Sequence, residues 1–293
     1  MKLGAARKVG CSMLKWLIAA DSSCDVRHMN TGSVDIGFET VPFLMRLDQM
    51  DYVDDVDLQT DEIVQLMEKS DTTCTACPSP ELWADVFCKA ENVIAFTISG
   101  RLSGSYDSAM IARSLVLEEH PGRHIIVIDS KSTGPKLAFM LQATLCQIQA
   151  KQSFDAICRF CLGLVHSVKT LCALSNFHNL VQKGRMKKVV GYMANQLGFR
   201  LIGEASGEGE IHVLDMVRGE KRTLRMILEN MEKAGFDGIS AIISHCFNEQ
   251  GALQLRDMII ARWHDAVVQI LPTRGLDSYY AERNGLIISY QTA

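Results

Sequence analysis

The segment Ile98-Ser99-Gly100-Arg101-Leu102-Ser103-Gly104-Ser105 places three serine hydroxyls, two glycines and an arginine within eight residues. It follows the apolar run Val93 to Ile98 and precedes a helical pattern from Tyr106 to Leu117. A strand, a Gly/Ser turn and a helix start therefore meet in one place, aiming free backbone N–H groups, hydroxyls and the positive end of a helix dipole at one point. The chemistry this favours is the holding of an anionic group. Ser103 sits in Gly-x-x-Ser-Gly rather than the Gly-x-Ser-x-Gly spacing of a nucleophile elbow, so it reads first as a hydrogen-bond donor beside Gly104, whose backbone a ligand can approach closely. Capping of the helix by Ser103 or Ser105 explains the same residues.

A second group of hydroxyls lies in Thr75-Ala76-Cys77-Pro78-Ser79-Pro80. Two prolines stiffen this segment, which predicts a fixed loop with Thr75 facing a ligand; Ser79 and Pro80 also fit the start of a helix, Glu81 to Ala90. The ten cysteines include two C-x-x-C pairs, Cys74/Cys77 and Cys158/Cys161. Joining them in a zinc site requires two pairs far apart in sequence to meet, so reduced and mostly buried thiols are the simpler expectation, with no metal and no cofactor. His166, His178 and His245 lie inside ordered-looking segments, and none of the three has another histidine at H-x-H or H-x-x-x-H spacing.

These residues need elements to hold them. Lys15 to Ala20, Val93 to Ile98 and His124 to Ile128 read as buried strands, each followed by a polar turn: Asp21-Ser22-Ser23, Ser99 to Ser105, and Asp129 to Gly134. In an open parallel sheet the carboxyl edge is where ligands bind. Helices are predicted over Tyr106 to Glu118, Pro135 to Gln149 and Ser153 to Val168, and the segment Thr60 to Ser70 is helical and acidic. Beyond them, Leu201 to Arg218 reads as a hairpin turning at Ser206-Gly207-Glu208-Gly209, followed by an amphipathic helix through Leu224, Ile227, Leu228 and Met231. Strands at Ile239 to Ser244, Val267 to Leu271 and Leu286 to Tyr290, with a helix from Glu249 to Trp263, complete a second layer. The expected fold is α/β with two α/β domains, 14–168 and 169–293, the first built on a mainly parallel sheet.

A chain of 293 residues is long enough for two cores. A net charge of -4 with dispersed Lys and Arg gives no basic face for nucleic acid, apart from the run Lys183 to Lys188 and the group Arg218, Lys221, Arg222 and Arg225. The latter is either a contact for one protein partner or the solvated start of a helix. Met1 to Gly10 reads as a short basic leader, and no apolar run reaches membrane-spanning length, so the expected location is cytoplasmic with no membrane span.

Taken in order, Asp21-Ser22-Ser23-Cys24-Asp25, Thr75 to Pro80, Ile98 to Tyr106, Val127-Ile128-Asp129-Ser130-Lys131 and Leu180-Val181-Gln182-Lys183-Gly184-Arg185 make the chain resemble DegV proteins over nearly its whole length from Leu14. The resemblance implies a long-chain fatty acid held in a tunnel between two domains, and a role as an acyl carrier for a bacterial fatty acid kinase. It further implies that Thr75 and Ser103 bond the carboxylate with help from the Gly104 N–H. Arg185 stands in the family's Gly-Gly-Arg segment with one glycine replaced by lysine, where it closes the head-group site, braces the inter-domain contact or forms a surface turn. The C-terminal stretch Gly275 to Gly285 departs from the family's Thr-His-x-Gly-Pro-Gly pattern and carries no histidine. Leu137 to Leu145 and Leu162 to Val165 are candidate tunnel walls. The rival reading is an enzyme acting on a phosphorylated or acylated small molecule with Ser103 as nucleophile. A general base beside Ser103 would favour the enzyme, and an apolar tunnel leading away from it the carrier.

Overall fold

Alternation along the strands of the first half accounts for a sheet buried on both faces. In β1 (Leu14–Asp21) Leu17 and Ala19 enter one core while Ile18 and Ala20 enter another, and β6 (Ala90–Thr97) divides Val93 and Ala95 from Ile94 and Phe96 in the same way. The computed structural model describes residues 13–186 and 198–292; the leader Met1 to Gly10 and the basic residues Lys187 and Lys188 lie outside them. With β2 (Ile36–Val41) and β7 (His124–Asp129), these strands form a four-stranded parallel sheet in the order β2-β1-β6-β7. Helices α2 (Pro80–Phe87) and α3 (Ser105–Glu119) cover one face through Trp83, Phe87 and Ala112. The other face is covered by α4 (Pro135–Gln149) and α5 (Phe154–Ser167) through Leu137, Leu141 and Ile157.

A small antiparallel sheet was not expected: β3 (Leu44–Leu47), flanked by β4 (Met50–Val53) and β5 (Thr73–Ala76), with α1 (Thr60–Met67) between β4 and β5 in sequence. Thr75 therefore lies in an edge strand paired through Met45, and not in a loop. Both early helices are shorter than expected, α1 ending at Met67 and α2 at Phe87, so that Ala90 already belongs to β6.

The second sheet has the order β10-β9-β8-β13-β11-β12. Its strands are β8 (Val168–Leu174), β9 (Phe199–Ala205), β10 (Ile211–Arg218), β11 (Phe236–His245), β12 (Val267–Pro272) and β13 (Leu286–Thr292), and only β11 and β12 run parallel. The expected hairpin is β9–β10, with a bulge between Val213 and Asp215. Helices α7 (Glu220–Lys233) and α8 (Glu249–Arg262) bury Leu224, Ile227, Met231, Leu255 and Ile259 on one face of this sheet. Two short helices, α6 (His178–Gln182) and α9 (Gly275–Ala281), lie on the other side, in a core that also takes Met45, Leu47, Ile63 and Val64 from the small sheet and α1. One core is thus drawn from both sides of residue 168.

The start of α9 is pinned by residues far away in sequence. Asp54, fully buried, accepts from the Gly275 and Leu276 amides at 3.1 and 3.0 Å, and Asp25 accepts from the Arg274 amide at 2.8 Å. The buried Arg274 guanidinium donates to the carbonyls of Val26 (3.0 Å) and Asp54 (2.7 Å), and its Nε lies 3.7 Å from Asp54 Oδ1. Removing one partner of such a buried pair strands the other charge, at a cost of about 3–5 kcal/mol. Asp54→Ala is expected to destabilise by that amount in urea unfolding. A loss below about 1 kcal/mol would show that the guanidinium is satisfied without the carboxylate.

Candidate functional site

The serine and glycine turn is built from beneath by Asp21, the last residue of β1. Its buried carboxylate accepts from the Ile98 amide (2.9 Å) and the Ser105 hydroxyl (2.7 Å), and its other oxygen accepts from the Ser23 hydroxyl (2.6 Å). Burial outweighs these bonds and pushes Asp21 up to about 6. Ser105 is therefore committed to Asp21 and does not cap α3 with its side chain. Ser103 Oγ instead accepts from the Ser105 amide at 3.2 Å, while the Gly104 amide meets no acceptor among the described residues. This is the free N–H that a helix start offers to an anion.

Thr75, Ser103, Gly104 and Arg185 all line one cavity of about 350 Å³. Its apolar wall comes from Phe43, Ile98, Leu102, Leu171, Leu276 and Ile287, so that loops beyond the carboxyl edge of the parallel sheet, strands of the six-stranded sheet and α9 contribute, beside Thr75 and Ala76 of the small sheet. The expected wall segments Leu137 to Leu145 and Leu162 to Val165 contribute nothing to it. Leu162 is exposed, and the larger apolar residues of both segments otherwise pack beneath the parallel sheet, in the core of Ile18, Ile94 and Phe96. Arg185 donates through Nε to the Leu102 carbonyl at 3.0 Å and through Nη1 to the Lys183 carbonyl, which ties the turn of β6–α3 to the segment after α6. At the opposite wall the β9–β10 hairpin tip docks on the same turn, where Ser99 Oγ donates to the Gly209 carbonyl at 2.7 Å. Gly209 has a φ of +87°, and a Cβ there would run into Ser99 Oγ.

Sequence reasoning gave no role to α9, yet Tyr280 and Asp277 line the cavity. Tyr280 Oη lies 3.0 Å from Thr75 Oγ1, and the buried Tyr279 bonds Thr73 Oγ1 at 2.7 Å one pleat repeat away on the same face of β5. Asp277 accepts from Thr133 Oγ1 at 2.6 Å. The free oxygens of Asp25 and Asp277 face each other beside Gly134, where a Cβ would lie 2.9 and 2.5 Å from them; the φ of +58° there also suits glycine. Burial raises both carboxyls, and their proximity lets one proton serve the pair. No local sequence pattern marks these contacts, because the partners are far apart in the chain.

Ser103 makes no hydrogen bond to an imidazole or carboxylate among the described residues, and neither His166, His178 nor His245 lines the cavity. No group of three or more His, Cys, Asp or Glu among the described residues could hold a metal ion. Cys77 lines the cavity, but burial pushes its thiol up, away from the reactive thiolate, as it does Cys158 and Cys161. Arg218, Lys221, Arg222 and Arg225 cluster at the start of α7, on a surface separate from the cavity lining. No described helix is long and apolar enough to cross a membrane.

Comparison with known proteins finds relatives of the same fold. A family model described as "Uncharacterised protein, DegV family" matches residues 15–281. A DegV domain-containing protein of Streptococcus gordonii is 36% identical over 279 residues, spanning 95% of this chain and 99% of the relative. Among solved structures, the Fatty Acid Kinase (Fak) B3 protein of Streptococcus pneumoniae, loaded with linoleic acid, is similar with a TM-score of 0.93 and 33% identity, covering 96% of this chain and 100% of that one. A DegV family protein from Eubacterium eligens loaded with heptadecanoic acid has a TM-score of 0.90 and 34% identity, over 95% and 100% of the two chains.

The buried acids set a pH dependence. An aspartate whose pKa is raised by folding binds its proton more tightly in the folded state, so its favourable contribution is complete below about pH 4 and is lost as pH rises toward 7. For Asp21, Asp25 and Asp277, the melting temperature should therefore rise by several degrees as pH falls from 8 to 5. Carboxylates held low at the surface, such as Asp48 and Asp51, lose their contribution only below that window. Asp277→Asn, which keeps a hydrogen-bond donor for Asp25 without a titrating proton, should flatten the slope. A slope unchanged in this variant would remove the acid pair as its source.

Proposed function

The chain belongs to the DegV family, and from that premise we propose that it binds a long-chain fatty acid in this cavity and acts as a carrier. The Thr75 and Ser103 hydroxyls and the Gly104 amide hold the carboxylate, with Arg185 closing the site across the Leu102 turn. The observation that carries this reading is the convergence of these four residues, from three separate segments of the chain, on one apolar cavity. The fatty acids in the similar Fak B3 and Eubacterium eligens structures support the ligand class.

The physical division of labour follows. Burying a methylene contributes about 0.8 kcal/mol, so a tail of about sixteen carbons supplies on the order of 12 kcal/mol before ordering and association costs. The carboxylate adds little net affinity, because burying it unpaired costs several kcal/mol. Charge-assisted bonds from the hydroxyls, the amide and the guanidinium offset that penalty and fix which end of the ligand faces the turn. In this reading the protein has two domains, 14–168 and 169–293, with the ligand tunnel between them, and works in the cytoplasm. It presents the bound carboxylate to a fatty acid kinase subunit, with the basic group at Arg218 to Arg225 as a candidate contact. The enzyme alternative, with Ser103 as nucleophile, lacks the base it requires, since Ser103 Oγ bonds only the Ser105 amide among the described residues.

Protein purified from a bacterial host, denatured and extracted, should release close to one fatty acid per chain by mass spectrometry, and release of none contradicts the carrier reading. Thr75→Ala combined with Ser103→Ala should lower retention at least about tenfold, through loss of charge-assisted bonds, with the thermal transition shifted little.

A further inference from the structure

The two tyrosines of α9 form parallel rungs to β5, and the rungs differ in one respect. Tyr279 and Tyr280 stack edge to face, with centroids 4.8 Å apart at 76°. Their hydroxyls reach Thr73 and Thr75, which share a face of the edge strand because they are two residues apart. The Tyr279–Thr73 rung lies outside the cavity and suffices to fasten α9 to β5. The Tyr280–Thr75 rung opens onto the cavity beside Ser103, Gly104 and Arg185. Fastening alone leaves the second hydroxyl unexplained.

We propose that Tyr280 is a positioning residue for ligand recognition: its hydroxyl donates to Thr75 Oγ1 and thereby turns the single Thr75 proton toward a ligand carboxylate. The inference rests on the fatty-acid reading above and adds to it the direction of the hydrogen-bond chain. Each hydroxyl carries one hydrogen, so a pair joined by one hydrogen bond has one left to offer. A phenol is a stronger donor and a weaker acceptor than an aliphatic alcohol, which favours the order Tyr280 to Thr75 to carboxylate. Donation from Tyr280 also polarises the Thr75 O–H and strengthens its bond to an anion. Without Tyr280, Thr75 Oγ1 has no hydrogen-bond partner among the described residues, and its hydroxyl is free to rotate. The geometry also limits the ligand class. The chain ends in a donor, so it serves an acceptor-only head group, a carboxylate, better than an alcohol, which must itself donate to something.

Tyr280→Phe tests this without dismantling the helix, since the Tyr279 rung remains. Delipidated protein is incubated with phosphatidylcholine vesicles carrying either a saturated fatty acid of about sixteen carbons or the matching primary alcohol, and retention is measured by mass spectrometry. The variant is expected to lose about tenfold in fatty-acid retention, the scale of one hydrogen bond to a charged group, with alcohol retention unchanged. Thr75→Val should lose at least as much, and the double variant no more than Thr75→Val alone, because the two hydroxyls act in series. Unchanged fatty-acid retention in Tyr280→Phe, an equal loss for the alcohol, or a double variant reaching the product of the single losses would each overturn the proposal. Failure of the unsubstituted protein to retain the fatty acid at all overturns the underlying reading and this inference with it.

Discussion

The burial of Arg274 organises the molecule. A guanidinium that is 1% exposed needs acceptors, and its two terminal nitrogens find them on the carbonyls of Val26 and Asp54 and on the Thr40 hydroxyl. Those partners come from the first sixty residues, so the start of α9 is fixed against the carboxyl edge of the parallel sheet. Asp25 and Asp54 take the amides of residues 274 to 276, and Asp277 then meets Asp25 and Thr133. The position of Tyr280 over Thr75 follows from this docking, and so does one wall of the cavity. Hydrophobic packing fills the space that these polar contacts have defined.

The same logic applies to the turn at Ser99 to Ser105. Most of its polar groups are consumed internally: Ser105 by Asp21, Ser99 by Gly209, and the Ser103 amide by the Ser99 carbonyl. What is left facing the cavity is small in number and well fixed, the Gly104 amide and the hydroxyl hydrogen of Ser103. A site with few donors, each held by a second set of buried groups, discriminates by placement rather than by the strength of its charge.

Much of this was legible in the sequence wherever apolar runs were continuous. The strands at Lys15 to Ala20, Val93 to Ile98 and His124 to Ile128, and the polar turns after them, follow from their runs and their glycine and serine boundaries, and the hairpin from Ser206 to Gly209 follows from its turn chemistry. The small sheet did not, because strands of four residues such as Thr73-Cys74-Thr75-Ala76 have neither an apolar run nor enough length to show a period. Thr75 was singled out, but its strand was not. The apolar residues Leu137 to Leu145 were assigned to the cavity wall because an apolar helix face has the same composition whether it covers a sheet or a ligand. Tyr279, Tyr280, Arg274 and Asp277 carried no local signal, since their partners lie 144 to 249 residues away.

That separation bears on how the protein is made. The parallel sheet and its four helices involve no residue beyond 167, and they can form while the rest of the chain is still being synthesised. The threonine on β5, however, stays without its tyrosine, and Asp25 and Asp54 without the α9 amides, until residues 274 to 280 have left the ribosome. A nascent chain that has not yet reached this segment therefore carries a cavity without one of its walls, and acids without the amides that hold them in the folded protein.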